Sequence, residues 1–110
     1  MKTRVLALAV SIVGLSMLST AQAGDDLDLA KRSGCLACHA IDNKVVGPGW
    51  KDVAAKYKGD DSARAMLIDK VKKGGKGNWD DMTGGVPMPP YSPRVADADI
   101  EKLVDFVLSL

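Results

Sequence analysis

Cys35-Leu36-Ala37-Cys38-His39 decides the reading of this 110-residue chain, because these five residues hold both of its cysteines and its single histidine. Cys-x-x-Cys-His is the attachment signature of a c-type haem. On a helical turn residues three apart share a face, so Cys35 and Cys38 can meet the two vinyl groups along one porphyrin edge. The next residue, His39, then turns its imidazole toward the iron as the fifth ligand. A redox dithiol would sit at the start of a helix in a strand-helix-strand unit, and no strand pattern flanks Cys35. A structural zinc site needs four Cys or His ligands in two separated pairs, whereas the chain offers three in one cluster. A disulfide between the two cysteines would close a four-residue loop and stabilise almost nothing.

The N-terminal residues 1–23 read as a cleaved secretory signal peptide. Lys2 and Arg4 make a basic start, residues 5–18 an apolar core, and Ala21-Gln22-Ala23 a small-x-small cleavage site. The apolar run of 14 residues is short of the ~20 that span a bilayer, so stable membrane insertion is not expected. No twin arginine precedes it and no cysteine stands at the cut, so neither a Tat substrate nor a lipoprotein is indicated and Sec-type export is expected. What remains, residues 24–110, is one small domain of 87 residues. A domain of that size has a marginal core, and a covalent haem would staple it.

Residues 24–110 carry 13 basic and 14 acidic side chains, a net charge of −1. The total hides a polarity: residues 31–79 are net +6 and residues 80–110 net −4. Such a dipolar surface can steer a partner protein without general stickiness. It does not support nucleic-acid binding, because Asp residues intersperse the basic ones and the total is not basic.

Hydrophobic periodicity predicts helices joined by Gly and Pro loops, with no alternating strand pattern. A first helix is expected from Asp26 to about Ser33, with Asp25, Asp26 and Asp28 at its N-terminus, Lys31 and Arg32 at its C-terminus and Gly34 ending it. A second covers residues 50–57 after the Gly47-Pro48-Gly49 loop. A third runs from a cap at Asp61 or Ser62 to Lys73, with Met66, Leu67 and Val71 facing inward. Residues 74–93 form a long Gly- and Pro-rich loop, of the kind that is usually functional. The last helix starts at an Asp97 cap and carries Ile100, Leu103, Val104 and Val107 at helical spacing, an apolar stripe expected to pack on the first helix.

With no second histidine, a methionine is the next candidate for the sixth iron position. Met66 is expected in the core, and Met82 stands before flexible Thr83-Gly84-Gly85. Met88 lies between Pro87 and Pro89-Pro90, whose fixed φ angles reduce the entropy lost on holding the sulfur in place. Met88 is therefore the expected ligand.

Cys35 to Asp42, Val46-Gly47-Pro48, Val53-Ala54-Ala55-Lys56-Tyr57, Gly77-Asn78-Trp79 and Pro87-Met88-Pro89-Pro90, taken in order, resemble the small class I monohaem cytochromes c of bacterial respiratory chains. The resemblance spans essentially all of residues 24–110. It implies an all-α class I cytochrome c fold, about four short helices wrapped around one covalently attached haem (iron protoporphyrin IX on two thioethers), with low-spin His/Met iron. It also implies that the Pro48 carbonyl accepts the proton of His39 Nδ1, against the alternative of a plain turn proline. Trp79 matches the family tryptophan that donates to a haem propionate, with core packing as its alternative. Lys70 lies where relatives often place a basic side chain near the propionates, or is a solvated helix lysine. Two departures stand out. Residues 80–87 make a longer stretch than in the tightest relatives, and Tyr91 stands close to where relatives can carry an asparagine bonded to the ligand sulfur.

The function expected from this set is not catalysis but one-electron transfer, in the periplasm, by a monomer that meets redox partner proteins transiently: a membrane cytochrome complex or dehydrogenase as donor, a terminal oxidase or nitrite reductase as acceptor. Apolar residues near Cys35 and the Met88 loop, with Lys31, Lys44 and Lys51 on the rim, are the expected contact surface. The alternatives are a fixed haem subunit of a larger oxidoreductase, and a gas-binding or peroxidatic protein with an open sixth site, which would need a distal acid or base that the single histidine does not provide.

Overall fold

The computed structural model describes residue 14 and residues 18–110. Among the described residues five α-helices follow one another: α1 Leu18–Arg32, α2 Trp50–Lys56, α3 Ala63–Lys73, α4 Asp80–Thr83 and α5 Asp97–Leu108, with a 3-10 turn at Cys35–Ala37 between α1 and α2. Among the described residues there is no strand, only two isolated bridges, His39 with Lys44 and Gly75 with Met88. The all-α expectation holds.

Helix α5 organises the molecule, because its stripe is wide enough to serve two clusters. Ile100, Leu103, Val104 and Phe106 are all buried on it. Leu103 and Phe106 join Ala30, Cys35 and Trp50 in one cluster. Ile100 and Val104 join Ile68, Tyr91 and Val95 in the other. Helix α5 packs on α1, as expected, and on α2 and α3 as well. Each large side chain so buried contributes on the order of 1.5–3 kcal/mol.

Several local expectations are corrected. Helix α1 begins at Leu18, so it runs through Ala21-Gln22-Ala23, and its aspartates lie inside the helix with none in the first turn. Leu, Ala and Gln are good helix formers and no proline interrupts them. The basic start and nearly all of the apolar run expected of a signal peptide lie outside the described residues. The other end is as expected: Gly34 takes φ 85°, a left-handed conformation that favours glycine, and stops the helix after Lys31 and Arg32.

Ser62 holds the N-cap position of α3 without capping it. Its hydroxyl and its amide both donate to Asp60 Oδ1, at 2.6 and 2.9 Å. Met66 is 38% exposed while Ile68 is buried, because Met66 lies about 100° around the helix from Leu67 on the solvent side. At α5 the cap is Ala96, with Asp97 inside the first turn. There the Asp97 carboxylate meets the helix dipole, accepts from Ser92 Oγ at 3.1 Å and pairs with Lys72 at 3.5 Å. The long loop contains α4, a single turn in which Met82 N and Thr83 N both donate to Trp79 O at 2.9 Å.

Candidate haem site

The Cys-x-x-Cys-His run folds as one tight turn. Cys38 N and His39 N both donate to Cys35 O, at 3.3 and 3.1 Å, and Cys38 O accepts from Val46 N and Gly47 N at 3.1 and 2.8 Å. These bonds fold residues 43–48 back over the histidine. His39 Nδ1 then lies 2.8 Å from Pro48 O. A carbonyl oxygen can only accept, so Nδ1 carries the proton and the Nε2 lone pair is left for a metal.

The ring is held on two further sides. Trp50 stacks on it at 5.8 Å between centroids and 26° between planes, and Phe106 supports Trp50 edge-on at 6.0 Å. Gly47 closes the remaining side: a Cβ there would sit 2.5 Å from His39 Cε1, so only glycine lets the imidazole lie where it does.

The second wall comes from the long loop. Gly75 N donates to Met88 O at 2.8 Å and Met88 N to Gly75 O at 3.1 Å, which pins the methionine backbone from both faces. Gly74, at φ +69°, allows this approach, since a Cβ there would meet Met88 O at 2.5 Å. Tyr91 donates its amide to Val71 O at 3.1 Å and buries its ring beside Met88. Burial pushes the Tyr91 phenol up from its ordinary range.

One cavity of about 1190 Å³, counted out to its open mouth, is lined by Cys35, Cys38, His39, Pro48, Trp79 and Met88 together. Those are all of the cofactor- and iron-binding residues nominated from sequence. Lys70 also lines it, with its ammonium donating to Lys76 O. Met82 does not line it. The residues fit a covalent haem: neither cysteine is in a disulfide, one imidazole nitrogen is uncommitted, and a soft thioether shares a predominantly apolar cavity. Desolvation raises the pKa of the buried Cys35 and so favours its neutral thiol.

Residues 23–110 match the family described as Cytochrome c. The chain belongs to the cytochrome c family. Cytochrome c-551 of Allochromatium vinosum is 52% identical over 85 residues, covering 77% of this chain and 85% of the relative. Cytochrome c-552 of Nitrosomonas europaea is 45% identical over 95 residues, covering 86% and 87%. The crystal structure of wild-type Nitrosomonas europaea cytochrome c552 superposes with a TM-score of 0.67 at 47% identity, covering 76% of this chain and 96% of that one. A class 1 cytochrome from Sideroxydans lithotrophicus ES-1 does so at 0.62 and 30% identity, covering 78% and 92%. Membership of this family makes the chain a small class I monohaem cytochrome c, an electron-transport protein with one covalently bound c-type haem. No helix among the described residues is long and apolar enough to cross a membrane.

Sequence reasoning missed four residues of this cytochrome's site. Trp50, directly after Gly47-Pro48-Gly49, carried a weak signal as an aromatic at a helix start. Gly47 and Tyr91 matter only through contacts with distant segments. Lys56 was read as part of a motif, yet its ammonium sits 4.6 Å over the Trp79 ring and donates to Asn78 O at 3.3 Å.

Proposed function

We propose that this cytochrome shuttles single electrons in the periplasm, with His39 and Met88 as axial ligands of a low-spin haem iron held by thioethers to Cys35 and Cys38. The observation that carries the reading is the commitment of His39 Nδ1 to Pro48 O, which leaves Nε2 available in the cavity that Met88 also lines. When bound, the haem supplies one-electron chemistry between Fe(II) and Fe(III). The chain's residues set its terms. Pro48 raises the basicity of the imidazole and selects its tautomer. Met88 presents a neutral, soft sulfur from a backbone held by Gly75, and the apolar walls disfavour the added charge of Fe(III). Trp79 would donate its indole hydrogen to a propionate, and Lys70 also lines the cavity.

Export follows from residues 1–23 as a cleaved signal peptide, leaving residues 24–110 as the mature domain. Redox partners dock at the cavity mouth, where Val46 and Val86 are 40% and 53% exposed. Lys44, two residues before Val46, and exposed Lys31 are, among the described residues, the free cations of this reading, while Lys51 is engaged by Asp42 at 2.6 Å. Contacts of this kind are small and steered by charge, which suits fast release.

A redox titration with optical spectra on the mature protein tests the assignment. A methionine-to-iron charge-transfer band in the oxidised form, lost in Met88→Ala and kept in Met82→Ala, is the expected result. Rapid carbon monoxide binding by the native reduced protein would overturn it. Periplasmic fractionation with an N-terminus at Gly24 tests the export half.

A further inference from the structure

Between Trp79 and Met88 the chain has little to hold it. Every backbone hydrogen bond made by residues 80–86 stays within residues 79–86: Met82 and Thr83 donate to Trp79 O, Gly85 to Asp80 O and Val86 to Thr83 O. Gly84 and Gly85 both take positive φ, and α4 is one turn long. The segment is therefore a strap attached at its two ends, with Thr83 and Val86 touching the cavity between them. The far attachment is the backbone pair of Met88 with Gly75.

The near attachment is made by side chains from the end of α2. Lys56 Nζ lies 4.6 Å over the Trp79 ring and donates to Asn78 O at 3.3 Å, while Asn78 Nδ2 donates to the Tyr57 hydroxyl at 3.1 Å. Lys56, the last residue of α2, and Tyr57 directly after it thus hold Asn78 and Trp79, at the near end of the strap, by three contacts. Because Trp79 O is the acceptor for both amides that begin α4, a Trp79 that shifts takes the start of α4 with it. Val53, one turn before Lys56, lines the same cavity, so the clasp is built on a helix already seated in the site.

We propose that Lys56 is a positioning residue: its ammonium clasps Trp79 to α2 and sets how often the strap carrying Met88 opens. The proposal rests on the reading of Met88 as an iron ligand. A cation over an aromatic face is what the contact needs, so Arg can replace Lys while a neutral side chain of similar length cannot.

The test uses the mature holoprotein as parent, Lys56→Gln and Lys56→Arg. Added imidazole binds the ferric protein only when the sulfur has left, so its apparent affinity reads the open fraction. Lys56→Gln is expected to raise that affinity about two- to five-fold, the equivalent of one exposed cation–π contact, and to speed hydrogen exchange at the Met82 and Thr83 amides. Lys56→Arg is expected to match the parent in both. Unchanged imidazole affinity and exchange in Lys56→Gln, or an arginine variant that behaves like the glutamine one, would overturn the proposal. Absence of the charge-transfer band from the parent would mark failure of the ligand assignment instead, and exchange at Met82 and Thr83 would then decide the clasp by itself.

Discussion

Gly47→Ala tests whether the histidine is held as tightly as its surroundings imply. The new Cβ would fall 2.5 Å from His39 Cε1 and 3.0 Å from Nδ1, far inside van der Waals contact. The imidazole has nowhere easy to go. Turning away breaks the 2.8 Å bond to Pro48 O and disturbs the stack on Trp50, itself supported by Phe106. Overpacking of this kind typically costs 1–3 kcal/mol, and the loss of a hydrogen bond worth about 1 kcal/mol places this case at roughly 2–3. In a domain of this size each kcal/mol moves Tm by about 4–8 °C, so a fall of about 8–24 °C is expected in thermal unfolding of the holoprotein. A Gly47→Ala protein within about 2 °C of the parent, a shift below 1 kcal/mol, with the parent's spectrum would refute the claim that Pro48 and Trp50 hold the ring.

Three further outcomes follow from the packing and the charges. Ile100, with no exposed surface, should lose about 2–5 kcal/mol as Ile100→Ala, read as a lower urea midpoint at unchanged slope. Arg64 grips Asp105 with two bonds, at 2.7 and 3.2 Å, but both side chains are about half exposed; Arg64→Gln should lower the thermal midpoint only slightly at low salt and not measurably at ~1 M salt. Ser62's hydroxyl and amide hold the Asp60 carboxyl below its ordinary value. A carboxyl so depressed adds stability above its unfolded pKa of about 3.9, which is lost as pH falls through the lower folded value. An NMR titration of Asp60 should show this, with Ser62→Ala, which removes the hydroxyl and keeps the amide, raising it part of the way back.

Legibility followed the range of the interaction. The haem motif is five adjacent residues, and α3 and the start of α5 are marked by apolar periodicity, by Gly74 and by Asp97, so both are placed to within a residue or two. Helix α4 was invisible because one turn offers no period to detect and owes its existence to Trp79 O. Met66 went to the wrong face because three neighbouring apolar residues, Met66, Leu67 and Ile68, compete for one stripe, and only the position of α5 chooses among them. The start of α1 is hidden because Asp25, Asp26 and Asp28 look like a helix terminus although the residues before them favour helix equally well.

What the amino-acid order determines by itself is the inventory of chemistry: two thiols three apart, one imidazole beside them, and a thioether stiffened by prolines. Covalent spacing and side-chain type need no tertiary context. The tertiary structure decides orientation. Pro48 selects the nitrogen that His39 leaves free, Gly75 holds Met88 in the shared cavity, and Lys56 sits on Trp79. Each of these joins segments separated along the chain, so each depends on how the helices pack and not on any local pattern.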